Sequence, residues 1–210
     1  RPLDNNLFRN TMKKITSLML ALFVSFSLNA THYTYFSIDS GGMLGVIPAK
    51  LLQKIEAETG YPIHKLANGG LMGTSTGAII SSLLTVPTKE GKPPFTATEV
   101  LGFYQTEAAP IFQAAARGVV NAFMAEHAGV EKDFSRPMGV LRTKFDEVFG
   151  DVRIEHSVCP LFIVAHSKTY GDTFIFDSTT EFVLVQDAVR ASSSIAAAFG
   201  PTTITFADGK

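Results

Sequence analysis

A serine lies at the centre of a glycine-bounded pentapeptide, Gly73-Thr74-Ser75-Thr76-Gly77, directly before an apolar stretch of helical character. In a G-x-S-x-G pattern the serine stands on a tight turn from strand to helix, so the residues two positions away on either side must be small. Amides at the start of the following helix favour negative charge that develops nearby. The pattern predicts that Ser75 is a nucleophile, and an ordinary glycine-bounded helix start is the alternative.

A second glycine-rich segment, Asp39-Ser40-Gly41-Gly42-Met43-Leu44-Gly45, follows a β-branched and aromatic run at residues 33–38. Such a turn between a strand and a helix leaves backbone N–H groups unpaired, and these could form an oxyanion hole or hold a phosphate. A dinucleotide site is disfavoured, because Ser40 occupies the first glycine position of the fingerprint and the acidic candidates Glu56 and Glu58 fall inside a predicted helix.

An acidic residue, Asp208, follows a predicted last strand at residues 204–207 and precedes Gly209. A different arrangement is also open: Asp151 and His166 follow Ser75 in the chain order of an α/β-hydrolase triad. The five histidines show no spacing typical of metal ligands, so neither a metal site nor a cofactor is predicted.

Strands that alternate with helices must position these residues. Apolar residues at helical spacing predict a helix over 46–59, which Gly60-Tyr61-Pro62 ends. The remaining pattern predicts further strands around 71–72 and at 161–165 and 173–176, and helices at 78–84, from Thr96 or Thr98 to about 109, within 110–128, and at 139–149 and 186–198. This order predicts a layered α/β domain.

Composition and the N-terminus bound the class of protein. The chain has 210 residues, 46% of them hydrophobic, with a net charge of -1 and one cysteine. These values exclude a disordered chain, a disulfide scaffold and a strongly nucleic-acid-binding protein. A basic patch and a short apolar run predict a signal peptide over residues 12–30, after an upstream extension at 1–11. The mature domain, 31–210, is therefore expected to be secreted or periplasmic, with a buried N-terminal helix in a cytoplasmic protein as the alternative.

Together and in this order, the three motifs resemble the patatin-like phospholipase family, which carries D-G-G-G-x-R-G, then G-x-S-x-G, then D-G-G or D-G-A. The stretches 46–52, 147–151 and 188–193 are also similar, so the resemblance covers residues 35 to 209. It implies a three-layer α/β/α sandwich around a mostly parallel sheet. It also implies a phospholipase A-type hydrolase that cleaves fatty-acyl esters of lipids or phospholipids through an acyl-enzyme, with transient contact at a membrane surface.

The resemblance assigns the site residue by residue. It implies that Ser75 is the nucleophile and Asp208 its base, and that the backbone amides of Gly41, Gly42 and Met43 form the oxyanion hole. The motif positions that support them are Asp39, Gly45, Gly73, Gly77 and Gly209. The consecutive serines 192–194 are interpreted as tight helix packing under the site. Phe112 and Phe123 are candidates for contact with a lipid surface or for the core.

Two residues depart from the family pattern. Ser40 replaces a glycine where a positive φ is expected, and Leu44 replaces a basic residue. The chain also ends two residues after Asp208, so the domain is expected to be incomplete at its C-terminus. These features motivate the alternative that the protein is a catalytically inactive fragment that binds lipid or has no function. The pattern leaves the oligomeric state open.

Overall fold

The computed structural model describes residues 32–129, 135–180, 182–194 and 200–204. The predicted extension and signal peptide, residues 1–30, lie outside the described residues, as do Asp208 and Gly209. The described residues from Thr34 onward belong to one compact unit.

Helices and strands alternate along the described chain. The strands are β1 (Tyr35–Ile38), β2 (Gly70–Gly73), β3 (Leu161–Ser167) and β4 (Asp172–Phe176), and short 3-10 turns lie at Gly42–Gly45 and Ile154–His156. The helices are α1 (Val46–Thr59), α2 (Ile63–Leu66), α3 (Thr76–Thr85), α4 (Ala97–Thr106), α5 (Ala108–Ala128), α6 (Ser135–Val148) and α7 (Val185–Ser193). None of the helices in the described ranges combines the length and the apolarity that crossing a membrane needs.

Within the described residues the four strands form one sheet in the order β1-β2-β3-β4, in which β1, β2 and β3 are parallel and β4 is antiparallel to β3. The predicted mixed α/β fold with a mostly parallel sheet is confirmed. Ile38, Gly73 and Ile163 pair across the three parallel strands. Because β1 and β2 therefore end side by side, the segments that follow them meet at one edge of the sheet.

The two faces of the sheet are buried to different extents. Ile38, Leu71 and Ile163 share one face and are buried in the core, where α3 packs against β1, β2 and β3 and α7 packs against β3. On the opposite face the side chains of Met72 and Ile175 are exposed. The site at the carboxyl edge is therefore held mainly by α3 and α7.

Local signals fix several of these elements. The predicted bounds of α1 are confirmed, and the helix ends at Gly60, whose φ of 72° favours glycine. Helix α4 begins after Thr96, which forms a capping box with Glu99. The expectation of a last strand at 204–207 is not met at Ile204, which lies outside any strand, and residues 205–207 are outside the described residues.

Candidate active site

Ser75 lies between β2 and α3, on a turn of residues 73–77 that we call the serine turn. Its φ of 53° and ψ of -114° place a residue with a side chain in a strained backbone region. Among the described non-glycine residues, only Ser75 and Phe182 have a positive φ. The predicted strand-to-helix turn is confirmed, and its strain falls on the residue expected to be the nucleophile.

The two glycines of the serine turn are required by close backbone packing. A Cβ atom on Gly73 would lie 2.1 Å from the carbonyl carbon of Gly77. A Cβ atom on Gly77 would lie 1.8 Å from the carbonyl oxygen of Ile38, at the end of β1. Both distances are far below van der Waals contact, so only glycine fits at either position. This is the structural reason for the spacing of the pentapeptide.

Ser192 holds the serine turn from α7. The backbone N–H of Ser75 donates a hydrogen bond to Ser192 Oγ at 2.8 Å. The hydroxyl of Ser192 in turn donates to the carbonyl oxygen of Val164 in β3 at 2.6 Å. One side chain thus connects the strained turn to the sheet and to a helix. Sequence reasoning interpreted this serine only as helix packing and missed the contact.

The predicted oxyanion segment, residues 39–45, is here called the glycine loop. It turns sharply at Gly42, whose φ is 56°, and it continues as the 3-10 turn. The N–H of Leu44 bonds to the carbonyl of Gly41 at 3.0 Å, but the N–H groups of Gly42 and Met43 have no hydrogen-bond partner in the part of the chain that the structure describes. These amides are available to stabilise an oxyanion.

Ser40, which replaces a glycine of the family pattern, has no strained backbone conformation. Ser40 is not among the described non-glycine residues with a positive φ, so the expectation of a strained serine there is wrong. Ser40 is one of the residues that line the cavity beside Ser75. Asp39 and Leu44 are exposed, and Gly45 is buried.

A chain of hydroxyl groups ties the serine turn to the glycine loop. Thr76 Oγ1 donates to the carbonyl of Gly42 at 2.8 Å, and it therefore accepts from the hydroxyl of Tyr104, 2.5 Å away. Burial raises the pKa of Tyr104 well above its usual range, so this phenol stays protonated and remains a donor. Gly45 packs against the same ring, because a Cβ there would lie 2.5 Å from it. Sequence reasoning did not single out Thr76 or Tyr104.

A cavity of about 70 Å³ opens beside Ser75. Its lining is largely apolar, and its polar groups come from three serines and the backbone of the glycine loop: Ser40, Gly42, Ser75, Ile79, Ile111, Phe112, Ala115, Leu141 and Ser193. A mostly apolar cavity with a few convergent polar groups is typical of a site for an apolar substrate with one polar reacting centre.

A larger, open concavity of about 550 Å³ lies elsewhere and shares no residue with this cavity. It is lined by Asp151 together with Lys89 and His156, whereas His166 is exposed on β3 opposite Thr173. No hydrogen bond joins Asp151 or His166 to Ser75 among the described residues. The strained Ser75 lines the smaller cavity and favours it as the candidate site. In the described ranges no three His, Cys, Asp or Glu side chains cluster so that they could hold a metal ion.

Comparison with known proteins identifies the family. A family model of patatin-like phospholipases matches residues 36–209, which is most of the chain and includes both the glycine loop and the serine turn. The chain belongs to the patatin-like phospholipase family. The α/β fold and the strained serine agree with this assignment.

Among curated proteins, this patatin-like chain is 28% identical over 184 residues to patatin-like protein 2 of Arabidopsis thaliana, an alignment that covers 80% of the chain and 42% of the relative. It is 28% identical over 153 residues to patatin-1-Kuras 2 of Solanum tuberosum, covering 68% of the chain and 36% of the relative. The chain thus spans less than half the length of the curated relatives it matches.

Proposed function

We propose that this protein is a serine lipid acyl hydrolase of the phospholipase A type. The observation that carries the proposal is the strained Ser75, which is fixed between two obligatory glycines and lines a mostly apolar cavity. Strain of this kind is expensive and is retained mainly where a backbone geometry serves function. Apolar cavity walls suit an acyl chain, and the amides of the glycine loop suit the ester carbonyl.

In the proposed reaction, Ser75 Oγ attacks the carbonyl carbon of the ester, and its proton passes to Asp208, the base that the family motif assigns. The N–H groups of Gly42 and Met43 donate hydrogen bonds to the oxyanion of the tetrahedral intermediate, and the N–H of Gly41 is the third donor. The intermediate collapses, the leaving alkoxide takes the proton from the base, and an acyl-Ser75 ester remains. Water activated by the same carboxylate then releases the fatty acid.

A carboxylate is a weak base toward a hydroxyl group, so the oxyanion donors must lower much of the barrier. This makes the attachment of the glycine loop to the serine turn through Thr76 important for the rate. We infer that the Thr76 link keeps the donors aligned with the nucleophile, since it joins the first residue of α3 directly to the carbonyl of Gly42.

The test is hydrolysis of p-nitrophenyl esters and of phosphatidylcholine by the full chain beside Ser75→Ala and Asp208→Asn. We expect both variants to lose at least about 10³-fold in kcat/KM with unchanged melting temperatures. Ser82→Ala, a buried serine of α3 that does not line the cavity, is the matched control and should keep full activity. A folded wild-type chain that binds lipid vesicles without hydrolysis would instead support the inactive lipid-binding alternative.

Contact with a lipid surface is part of the proposal. On α5, Phe112 and Ala115 line the cavity, and Val119 and Phe123 continue the same helix face outward with 46% and 59% exposure. Phe112 is half-buried and stacks on Tyr104, so of the two candidate phenylalanines Phe123 is the one that faces solvent. We expect Phe123→Ser to reduce hydrolysis of vesicle phospholipid while hydrolysis of a soluble ester is unchanged.

Export is proposed from the basic and apolar pattern of residues 12–30. Expression of the full chain in a bacterial host, followed by N-terminal sequencing of the periplasmic protein, should give a mature chain that begins close to residue 31. Recovery of the uncleaved chain in the cytoplasm would support the buried-helix alternative.

A further inference from the structure

Two neighbouring serines at the end of α7 have opposite hydrogen-bonding states. The hydroxyl of Ser192 has two partners, because it accepts from the N–H of Ser75 and donates to the carbonyl of Val164. The hydroxyl of Ser193 is buried, with 4% exposure of the residue, and in the part of the chain that the structure describes it has no hydrogen-bond partner. Adjacent residues of one type thus occupy different roles beside the same nucleophile.

An unpartnered buried hydroxyl lowers the stability of a protein, because it has lost its hydrogen bonds to water and gained none in return. Ser193 lines the cavity together with Ser75, Ser40 and the backbone of Gly42. The remaining residues of this lining have apolar side chains, and no described residue hydrogen-bonds the Ser193 hydroxyl. A polar group that enters this cavity can therefore reach Ser193, and the polar part of any substrate that reaches Ser75 is such a group.

Other buried serines show that the position of Ser193 is distinctive. Ser81 and Ser82 in α3 are also fully buried and have unpartnered hydroxyl groups, but neither lines the cavity. A substrate bound at Ser75 reaches neither of them. Ser81 and Ser82 are therefore matched controls: each has an unpartnered buried hydroxyl that lowers stability, and neither hydroxyl can contact a substrate in the cavity.

We propose that Ser193 is a substrate-binding catalytic residue whose hydroxyl donates a hydrogen bond to an oxygen of the ester held against Ser75. This inference rests on the proposed function and extends it, because the sequence motifs and the family assignment give Ser193 no role. The contact is a hydrogen bond only, with no proton transfer and no second covalent intermediate. Ser192 is a positioning residue, since it acts through the backbone of Ser75.

The experiment measures kcat/KM for p-nitrophenyl butyrate and the melting temperature of the full chain and three variants. Ser193→Ala should lower kcat/KM about tenfold, the value of one hydrogen bond in a buried site, while its melting temperature stays the same or rises. Ser82→Ala should leave kcat/KM unchanged. Its melting temperature should also stay the same or rise, as in Ser193→Ala. Ser192→Ala should lower both quantities, because it leaves the Ser75 N–H and the Val164 carbonyl unpaired.

Wild-type kcat/KM in Ser193→Ala, in a chain whose activity still depends on Ser75, would overturn this inference and leave the proposed function standing. An equal loss of activity in Ser82→Ala would also overturn it, because the effect would then come from packing in the core. A folded wild-type chain that hydrolyses no ester would overturn the proposed function, and this inference with it.

Discussion

The two glycine-rich segments at the carboxyl edge of the sheet tolerate added atoms very differently. In the serine turn, a Cβ on Gly73 or Gly77 would overlap backbone atoms at 2.1 Å or less. In the glycine loop, a Cβ on Gly41 would meet only the Cβ of Leu44, at 3.6 Å, and Gly41 has an extended φ of 177° that any residue adopts. The two segments are both rich in glycine, but the serine turn has no space for a Cβ at its glycines, whereas Gly41 in the glycine loop has.

The difference shows which part of the site is rigid. The serine turn is fixed by backbone against backbone, which cannot shift without moving β1 or α3. The glycine loop is held through side chains, namely the Thr76 hydroxyl and the Tyr104 ring, and these can adjust. The departures Ser40 and Leu44 in this chain are accordingly compatible with the fold, whereas Gly45 is packed against the Tyr104 ring.

The largest effect is expected at Gly77. Gly77→Ala places a Cβ 1.8 Å from the carbonyl oxygen of Ile38, so β1 and α3 must separate. We expect destabilisation by more than about 3 kcal/mol, or failure to fold, measured by urea unfolding. Gly102→Ala, in α4 with open space around it, is the control and should not destabilise the protein. A Gly77→Ala protein as stable as the wild type would refute the backbone-packing explanation.

A smaller effect is expected at Gly45, in the glycine loop. Gly45→Ala brings a Cβ against the ring of Tyr104 at 2.5 Å and against Thr76 Oγ1 at 2.9 Å. Since both neighbours are side-chain atoms, partial relief is available, and we expect destabilisation of about 1–3 kcal/mol. Activity should fall further than stability predicts, because the link from Thr76 to Gly42 is disturbed. Unchanged ester hydrolysis in this variant would show that the link does not align the oxyanion donors.

Backbone strain at Ser75 is tested by two inactive variants. Ser75→Ala keeps a Cβ at a φ of 53°, whereas Ser75→Gly removes it. We expect the glycine variant to be more stable than the alanine variant by about 1 kcal/mol in chemical denaturation. Equal stability of the two variants would mean that the turn is not strained. Backbone strain would then no longer support Ser75 as the nucleophile.

The smallest effect is expected at Gly41. Gly41→Ala keeps the backbone N–H, meets no close atom and needs no positive φ. Stability should change by no more than about 0.5 kcal/mol and kcat/KM by no more than about threefold. A large loss of activity without a loss of stability would show that the open space above Gly41 is needed by the substrate.

The elements with strong local signals were predictable from the sequence. The bounds of α1 followed from its apolar spacing and from Gly60, and the start of α4 was predicted at Thr96 or Thr98, of which Thr96 is the cap. The serine turn followed from its two glycines. In each case the determining atoms lie within a few residues of one another in the chain.

The supporting contacts were not predictable, because they join distant residues. Ser192 lies 117 positions after Ser75, and a run of serines and alanines fits helix packing equally well. Tyr104 is one of two adjacent aromatic residues in α4, and only the fold brings its hydroxyl to Thr76. The absence of a positive φ at Ser40 likewise depends on the path of the glycine loop between β1 and α1.

The most direct test of the account is covalent labelling of the full chain with a fluorophosphonate probe, followed by mass spectrometric mapping of the adduct. A nucleophilic Ser75 predicts one adduct on Ser75, lost in Ser75→Ala and formed much more slowly in Asp208→Asn. It also predicts normal labelling in Ser82→Ala. An adduct that persists in Ser75→Ala, or no adduct in a chain that unfolds cooperatively on heating, would contradict the assignment of Ser75 as the nucleophile of a working hydrolase.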